Sequence, residues 1–172
     1  MMDAQTITSE TKRRLLTVLG WCLGVGFGRW AGMNFIWPAA IAVASYFGLK
    51  KLLPREREVT LQLIAVQVGH LGWLALGVLA PGGLAQVGLD LVLSSALLVW
   101  FGTTRGRVAV IVLSIFQAIA LLGNATAFAS ATADQIAPLT VHILLRLVAL
   151  TLIGIFLWTE RKSQQAQAAV FD

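Results

Sequence analysis

The sequence predicts an all-α, polytopic integral membrane protein: a bundle of six transmembrane helices with the N-terminus and the C-terminus on the cytoplasmic side. Three observations predict it. First, 58% of the 172 residues are hydrophobic and only 12% are charged, whereas soluble domains carry roughly 25% charged residues. That is too little charge for a surface facing water. Second, the basic residues gather at the ends of six apolar segments. Third, Gly20, Gly24, Gly28 and Gly32 recur every four residues, which on a helix makes one bare face. In water such a row weakens a helix; in lipid it lets a second backbone approach closely, as membrane helices do when they associate.

Residues 1–13 form a polar cytoplasmic tail ending in Lys12 and Arg13. The first helix spans about 14–32 and holds the glycine row, the single cysteine Cys22 and Arg29. One cysteine excludes an intrachain disulfide. A basic cluster before an apolar run fits either a secretory signal or a retained helix. Arg29 and Trp30 stand where a cleavage site is expected, and Trp21 occupies the small-residue position before Cys22, so the segment reads as retained. The second helix spans about 35–53, after Asn34 as a turn or cap, with Pro38 near its start, where a missing N–H does little harm. Lys50, Lys51, Arg55 and Arg57 then make a basic loop with Glu56 and Glu58.

The third helix spans about 59–80 and stops at Pro81-Gly82-Gly83, a strong breaker. The fourth spans about 84–101 and the fifth about 108–128. A polar connection, 129–137, leads through Pro138 into a sixth helix over about 138–158. Residues 159–172 are a cytoplasmic tail that extends the last helix into water. Every segment of the transmembrane domain, 14–158, reaches the lower limit of about 17 residues for crossing a bilayer.

Charge placement supports this count. With the N-terminus inside, six crossings put Lys12, Arg13, Arg14, Lys50, Lys51, Arg55, Arg57, Arg105, Arg107, Arg161 and Lys162 on one side, leaving only Arg29 and Arg146 of the 13 basic residues. The outer turns at 81–83 and 129–137 lack Lys and Arg, in keeping with the positive-inside rule. The net charge of +5 therefore reports membrane orientation, and no nucleic-acid partner is expected. Trp30, Trp37, Trp100 and Trp158 fall at segment ends, as interfacial anchors do. The expected location is the cell membrane, a bacterial inner membrane in style, crossed several times.

Polar residues inside apolar segments turn away from lipid and mark inward faces. The third helix carries Gln62, Gln67 and His70, the fourth Asp90, the fifth Ser114, Gln117 and Asn124, and the sixth His142 and Arg146. At 1.5 Å per residue, Asp90 and Arg146 lie about 9 and 12 Å below the outer ends of their segments, His142 and Asn124 about 6 Å, and His70 about 15 Å. Asp90 and Arg146 thus have matched depth and opposite sign and are expected to pair or to line one water-filled pocket. His70, Asp90, Asn124, His142, Arg146, Gln67 and Gln117 are the candidates for ligand binding or proton coupling. The alternative is that they are interhelical glue, with Gln62, Gln67, Ser114 and Gln117 favouring that reading. The glycine row is assigned to helix packing.

No HExxH, GxSxG, P-loop or GxGxxG motif is present, and Ser94 and Ser95 have no assigned base, so enzymatic activity is not the expected function and no cofactor is expected. His70, His142 and Asp90 could in principle hold a metal, but three ligands on three helices without regular spacing are a weak signal, and no metal is assigned. Two functions remain. One is transport or capture of a small ion or metabolite through an outward-facing polar pocket, by a homo-oligomer or a subunit of a larger transporter. The other is a structural or accessory subunit docking other membrane subunits through the glycine face. The partners are the lipid bilayer, other copies or membrane subunits, and a small-molecule ligand.

Overall fold

The computed structural model describes residues 36–80 and 82–168. The described residues form five α-helices and no strand: α1 (Ile36–Leu52), α2 (Glu58–Val78), α3 (Gly83–Thr104), α4 (Arg107–Ala129) and α5 (Ala133–Ala168). They correspond to five of the six expected helices. The expected first helix at 14–32, with the glycine row, Cys22 and Arg29, lies outside the described residues.

Four of the five, α2 to α5, are long and apolar enough to cross a membrane. The exception is α1. Its 17 residues extend about 26 Å, short of a hydrocarbon core of about 30 Å.

Two boundaries differ from expectation for visible reasons. The last helix starts at Ala133, not at Pro138. The Thr132 N–H donates to Gln135 Oε1 at 3.2 Å, one half of a capping box, and the Gln135 N–H donates to the Thr132 carbonyl at 2.9 Å. Asp134 in the first turn complements the positive end of the helix dipole. α3 runs on to Thr104 instead of stopping at Phe101. The hydroxyls of Thr103 and Thr104 donate to the carbonyls of Val99 and Trp100, and Arg105 ends the helix in the left-handed region at φ 49°.

Short loops make the helices successive hairpins. α2 packs on α3, α3 on α4, α4 on α5, and α5 returns to α2, closing a four-helix ring; α1 lies outside, against α2. The α1–α2 seam depends on two glycines. A Cβ on Gly69 meets the Pro38 carbonyl oxygen at 2.5 Å and the Ala42 Cβ at 2.9 Å, and one on Gly72 meets Ile41 Cδ1 at 2.6 Å. This is the small-residue packing of membrane helices, here outside the glycine row.

The loop ends define two faces. Glu56 pairs with Arg105, tying the α1–α2 loop to the α3–α4 loop. Lys50 pairs with Glu58 at 3.3 Å on the same face, and Tyr46 donates to Glu58 beside it. An open surface groove of about 530 Å³, lined by Leu52, Leu53, Pro54, Arg55, Glu56 and Arg105, also lies here. Among the described residues, the opposite face, with Leu79, Ala80, Gly82 and residues 130–132, carries no Lys or Arg.

The ring interior is layered along its length. Toward the basic face it is apolar: Leu63, Ile64, Phe101, Ala109, Val110, Leu113, Ile153 and Phe156 form one buried cluster, with Phe101 edge-on to Phe156 at 5.8 Å between ring centroids. Toward the other face the interior is polar. Outward, Val92, Val99, Ile115, Ile119, Leu122 and Val148 are exposed, which is compatible with a membrane environment. Trp37 and Trp100 are exposed near helix ends, and Trp158 is exposed inside α5, which runs on to Ala168; the Lys162 ammonium sits 4.0 Å from the Trp158 ring centroid.

Candidate functional site

Each helix of the ring contributes a polar side chain to one connected chain. Arg146 of α5 donates through Nη2 to Asp90 Oδ2 of α3 and through Nη1 to Gln117 Oε1 of α4 at 2.7 Å. Gln117 Nε2 in turn donates to Gln67 Oε1 of α2 at 3.0 Å. The links Asp90–Arg146 and Gln117–Gln67 thus run between helices that face each other across the ring, α3 to α5 and α4 to α2. The spacing of the helices explains why long side chains do this: opposite members of a four-helix ring are farther apart than neighbours.

Two histidines flank this chain. His70 Nε2 of α2 and His142 Nδ1 of α5 are 3.0 Å apart. His142 is four residues before Arg146 and His70 three after Gln67, so each histidine shares a helix face with a member of the chain. Trp73 stands beside His142, with 6.2 Å between ring centroids. Val141, Leu145 and Trp73 form a small apolar cluster around it. His70, Asp90 and His142 each present a ligand-type atom, and these atoms lie within 4.8 Å of one another.

Exposure divides the group. Gln67, His70, Gln117 and Arg146 are buried. His142 is half-buried, and the Asp90 side chain is 23% exposed while that of Arg146 is 1% exposed. The cluster therefore opens to the surroundings at Asp90 and His142 and closes at Arg146. Asp90 lies about 10 Å from the start of α3, and His142 about 14 Å from the start of α5, by the helical rise.

Burying these charges requires compensation, since an isolated intramembrane charge raises the free energy by about 2.5–3.5 kcal/mol on insertion scales. Asp90 meets that need twice. Its Oδ2 binds Arg146, and its Oδ1 accepts from Ser94 Oγ at 3.2 Å. Arg146 has the carboxylate, Gln117 and the Phe116 ring, whose centroid is 5.7 Å from its Cζ. Several polar atoms stay buried without a partner: Gln67 Nε2, His70 Nδ1, Asn124 Nδ2 and Arg146 Nε.

Of the residues singled out by the sequence, His70, Asp90, His142, Arg146, Gln67 and Gln117 converge here. Asn124 sits on α4 about two turns beyond Gln117 and makes no side-chain hydrogen bond within the cluster. Gln62 is exposed, away from the interior. Phe116 and Trp73 belong to the site without a sequence signal, and Ser94, read in the sequence only as a serine without a base, joins it as a donor to Asp90. Ser94 lies one helical turn after Asp90, a spacing that signals an i,i+4 hydrogen bond. Compared with protein-family models, curated proteins and solved structures, the chain matches none, so its chemistry is read from these residues alone.

Proposed function

We propose that this chain is a multi-pass cell-membrane protein that captures or moves a small ion or metabolite through the polar half of its helix ring. This reading keeps six crossings, with both termini and the basic loops in the cytoplasm, on the positive-inside rule alone; it counts the segment at 14–32 and α1, whose 17 residues stand at the lower limit for a crossing. The observation that carries the reading is the convergence of Asp90, Arg146, Gln117, Gln67 and the histidine pair in one layer of an otherwise apolar ring. One hydrogen-bonded pair is enough to fix helix register; six polar side chains, two of them charged, exceed that need and are the usual mark of an ion or substrate pathway. The opening at Asp90 and His142 lies toward the face without basic residues. The Phe101–Phe156 layer beneath it serves as an apolar barrier, so passage requires the bundle to rearrange or to work with further subunits or copies.

Proteoliposomes holding the full chain test this. Uptake of at least one member of a panel of small cations, anions and carboxylates is expected, with loss in Asp90→Asn. No uptake across the panel, together with no ligand-induced rise in thermal stability, overturns it.

A second reading is favoured by one observation, the closure of the Arg146 side chain within its ion pair. In that reading the cluster only locks helix register, and the protein is an accessory subunit. Its signature is a variant with Asp90 and Arg146 both neutralised that keeps stability and every function of the parent.

A further inference from the structure

We propose that His70, His142 and Asp90 bind a divalent transition-metal ion inside the helix ring. As the identity of a transported solute this ion rests on the transport reading above; as a bound ion it rests only on geometry. The three ligand atoms come from α2, α3 and α5 and lie within 4.8 Å of one another. The two imidazole nitrogens are already 3.0 Å apart. Around a tetrahedral ion with metal–nitrogen bonds of about 2.0–2.1 Å, two ligand atoms stand about 3.3 Å apart. Rotations of the side chains are therefore enough to close the site, and the helices stay where they are.

The chemistry of the donors selects the ion. Two imidazoles and one carboxylate suit Zn²⁺, Co²⁺, Ni²⁺, Fe²⁺ or Mn²⁺, and not the all-oxygen shells of Ca²⁺ or Mg²⁺. Facing lone pairs 3.0 Å apart repel unless a proton or a metal lies between them. His70 Nδ1 has no partner among the described residues, so no second hydrogen bond fixes its tautomer and the ring is free to present a lone pair. Three protein ligands leave a fourth position for water or an exchanging ligand, and the half-buried side of His142 and Asp90 gives access.

Arg146 adds a constraint. It holds the Asp90 oxygen not bonded to Ser94, so a bound cation shares one carboxylate with a guanidinium. Two cations on one carboxylate repel in a low-dielectric interior. The result is weak, exchangeable binding, which suits an ion that must leave again better than a structural one.

The chain holds only two histidines, and both are here, so metal-to-imidazole signals report this site alone in a tag-free protein. The test is Co²⁺ titration of the metal-free full chain in detergent, read by the visible absorption of coordinated Co²⁺ and by displacement with Zn²⁺. One Co²⁺ per chain is expected, with affinity falling about tenfold or more in His142→Ala and in His70→Ala. Circular dichroism and gel filtration verify that each variant is folded. No Co²⁺ or Zn²⁺ binding by the parent at millimolar metal overturns the site, as does equal binding by a folded double variant lacking both histidines. Transport is scored separately in proteoliposomes. Co²⁺ binding without metal uptake leaves the site standing and removes the metal as solute; uptake of another ion without Co²⁺ binding removes the site and leaves transport standing.

Discussion

Replacing Asp90 by Asn strands the most deeply buried charge in the described bundle. The Arg146 side chain is 1% exposed and is left without a counter-charge, with only neutral acceptors: Gln117 Oε1 at 2.7 Å and the amide oxygen of the substituted side chain. Removing one partner of a buried pair destabilises by about 3–5 kcal/mol, and Asp90→Asn belongs in that range. Arg146→Gln is milder. It leaves a carboxylate whose side chain is 23% exposed and which still accepts from Ser94 at 3.2 Å, so a loss of about 1–3 kcal/mol is expected. With both changes no unpaired charge remains, and the double variant is expected within about 1 kcal/mol of the parent. The assay is reversible unfolding in mixed micelles with increasing dodecyl sulfate, followed by far-ultraviolet circular dichroism. The coupling energy of the cycle then reads the pair directly. Single losses that add within about 0.5 kcal/mol in the double variant refute the reasoning, and so does an Arg146→Gln loss larger than that of Asp90→Asn.

Gln117→Leu removes an acceptor from Arg146 and a donor from Gln67 at once, and a loss of about 2–3 kcal/mol is expected in the same unfolding assay. Gly69→Ala forces a Cβ against the Pro38 carbonyl and Ala42 and is expected to destabilise by about 1–3 kcal/mol. Gly123→Ala, with nothing within 4 Å of its added Cβ, is expected to stay within about 0.5 kcal/mol of the parent. Arg146→Gln, by removing the cation that competes for Asp90, is expected to tighten Co²⁺ binding in the titration described above; weaker binding in the folded variant contradicts the charge argument. Single cysteines at Ala80 and at Thr104 in a variant lacking Cys22 are expected to react with an impermeant thiol reagent from opposite sides of the membrane. Labelling of both from one side contradicts the alternation of crossings.

The helices from α2 onward were legible in the sequence because their signal is local. Apolar length, the break at Pro81-Gly82-Gly83 and basic residues at alternate loops each act within one segment. Boundaries differed where the backbone stayed helical past the apolar segment: α3 runs through Thr104 to Arg105, whose N–H donates to the Phe101 carbonyl, and α5 starts at Ala133, beside the Thr132 N–H to Gln135 Oε1 bond. The T-x-x-Q spacing of Thr132 and Gln135 is the local signal for this early start, and Pro138 lies inside α5. The α1–α2 seam at Gly69 and Gly72 was not read, because two glycines three residues apart stand out less than the regular row at 20–32.

Amino-acid order by itself determined the helical class, helices long and apolar enough to cross a membrane, and the opposite charge and matched spacing of Asp90 and Arg146 along their helices. Those follow from one-dimensional spacing, since helical rise converts residue number into depth. Only tertiary structure decided the partners across the ring. Depth says nothing about rotation around the bundle axis, so the meeting of His70 with His142, the Gln117–Gln67 bridge and the exclusion of Asn124 depend on how four helices turn toward one another when their apolar faces pack.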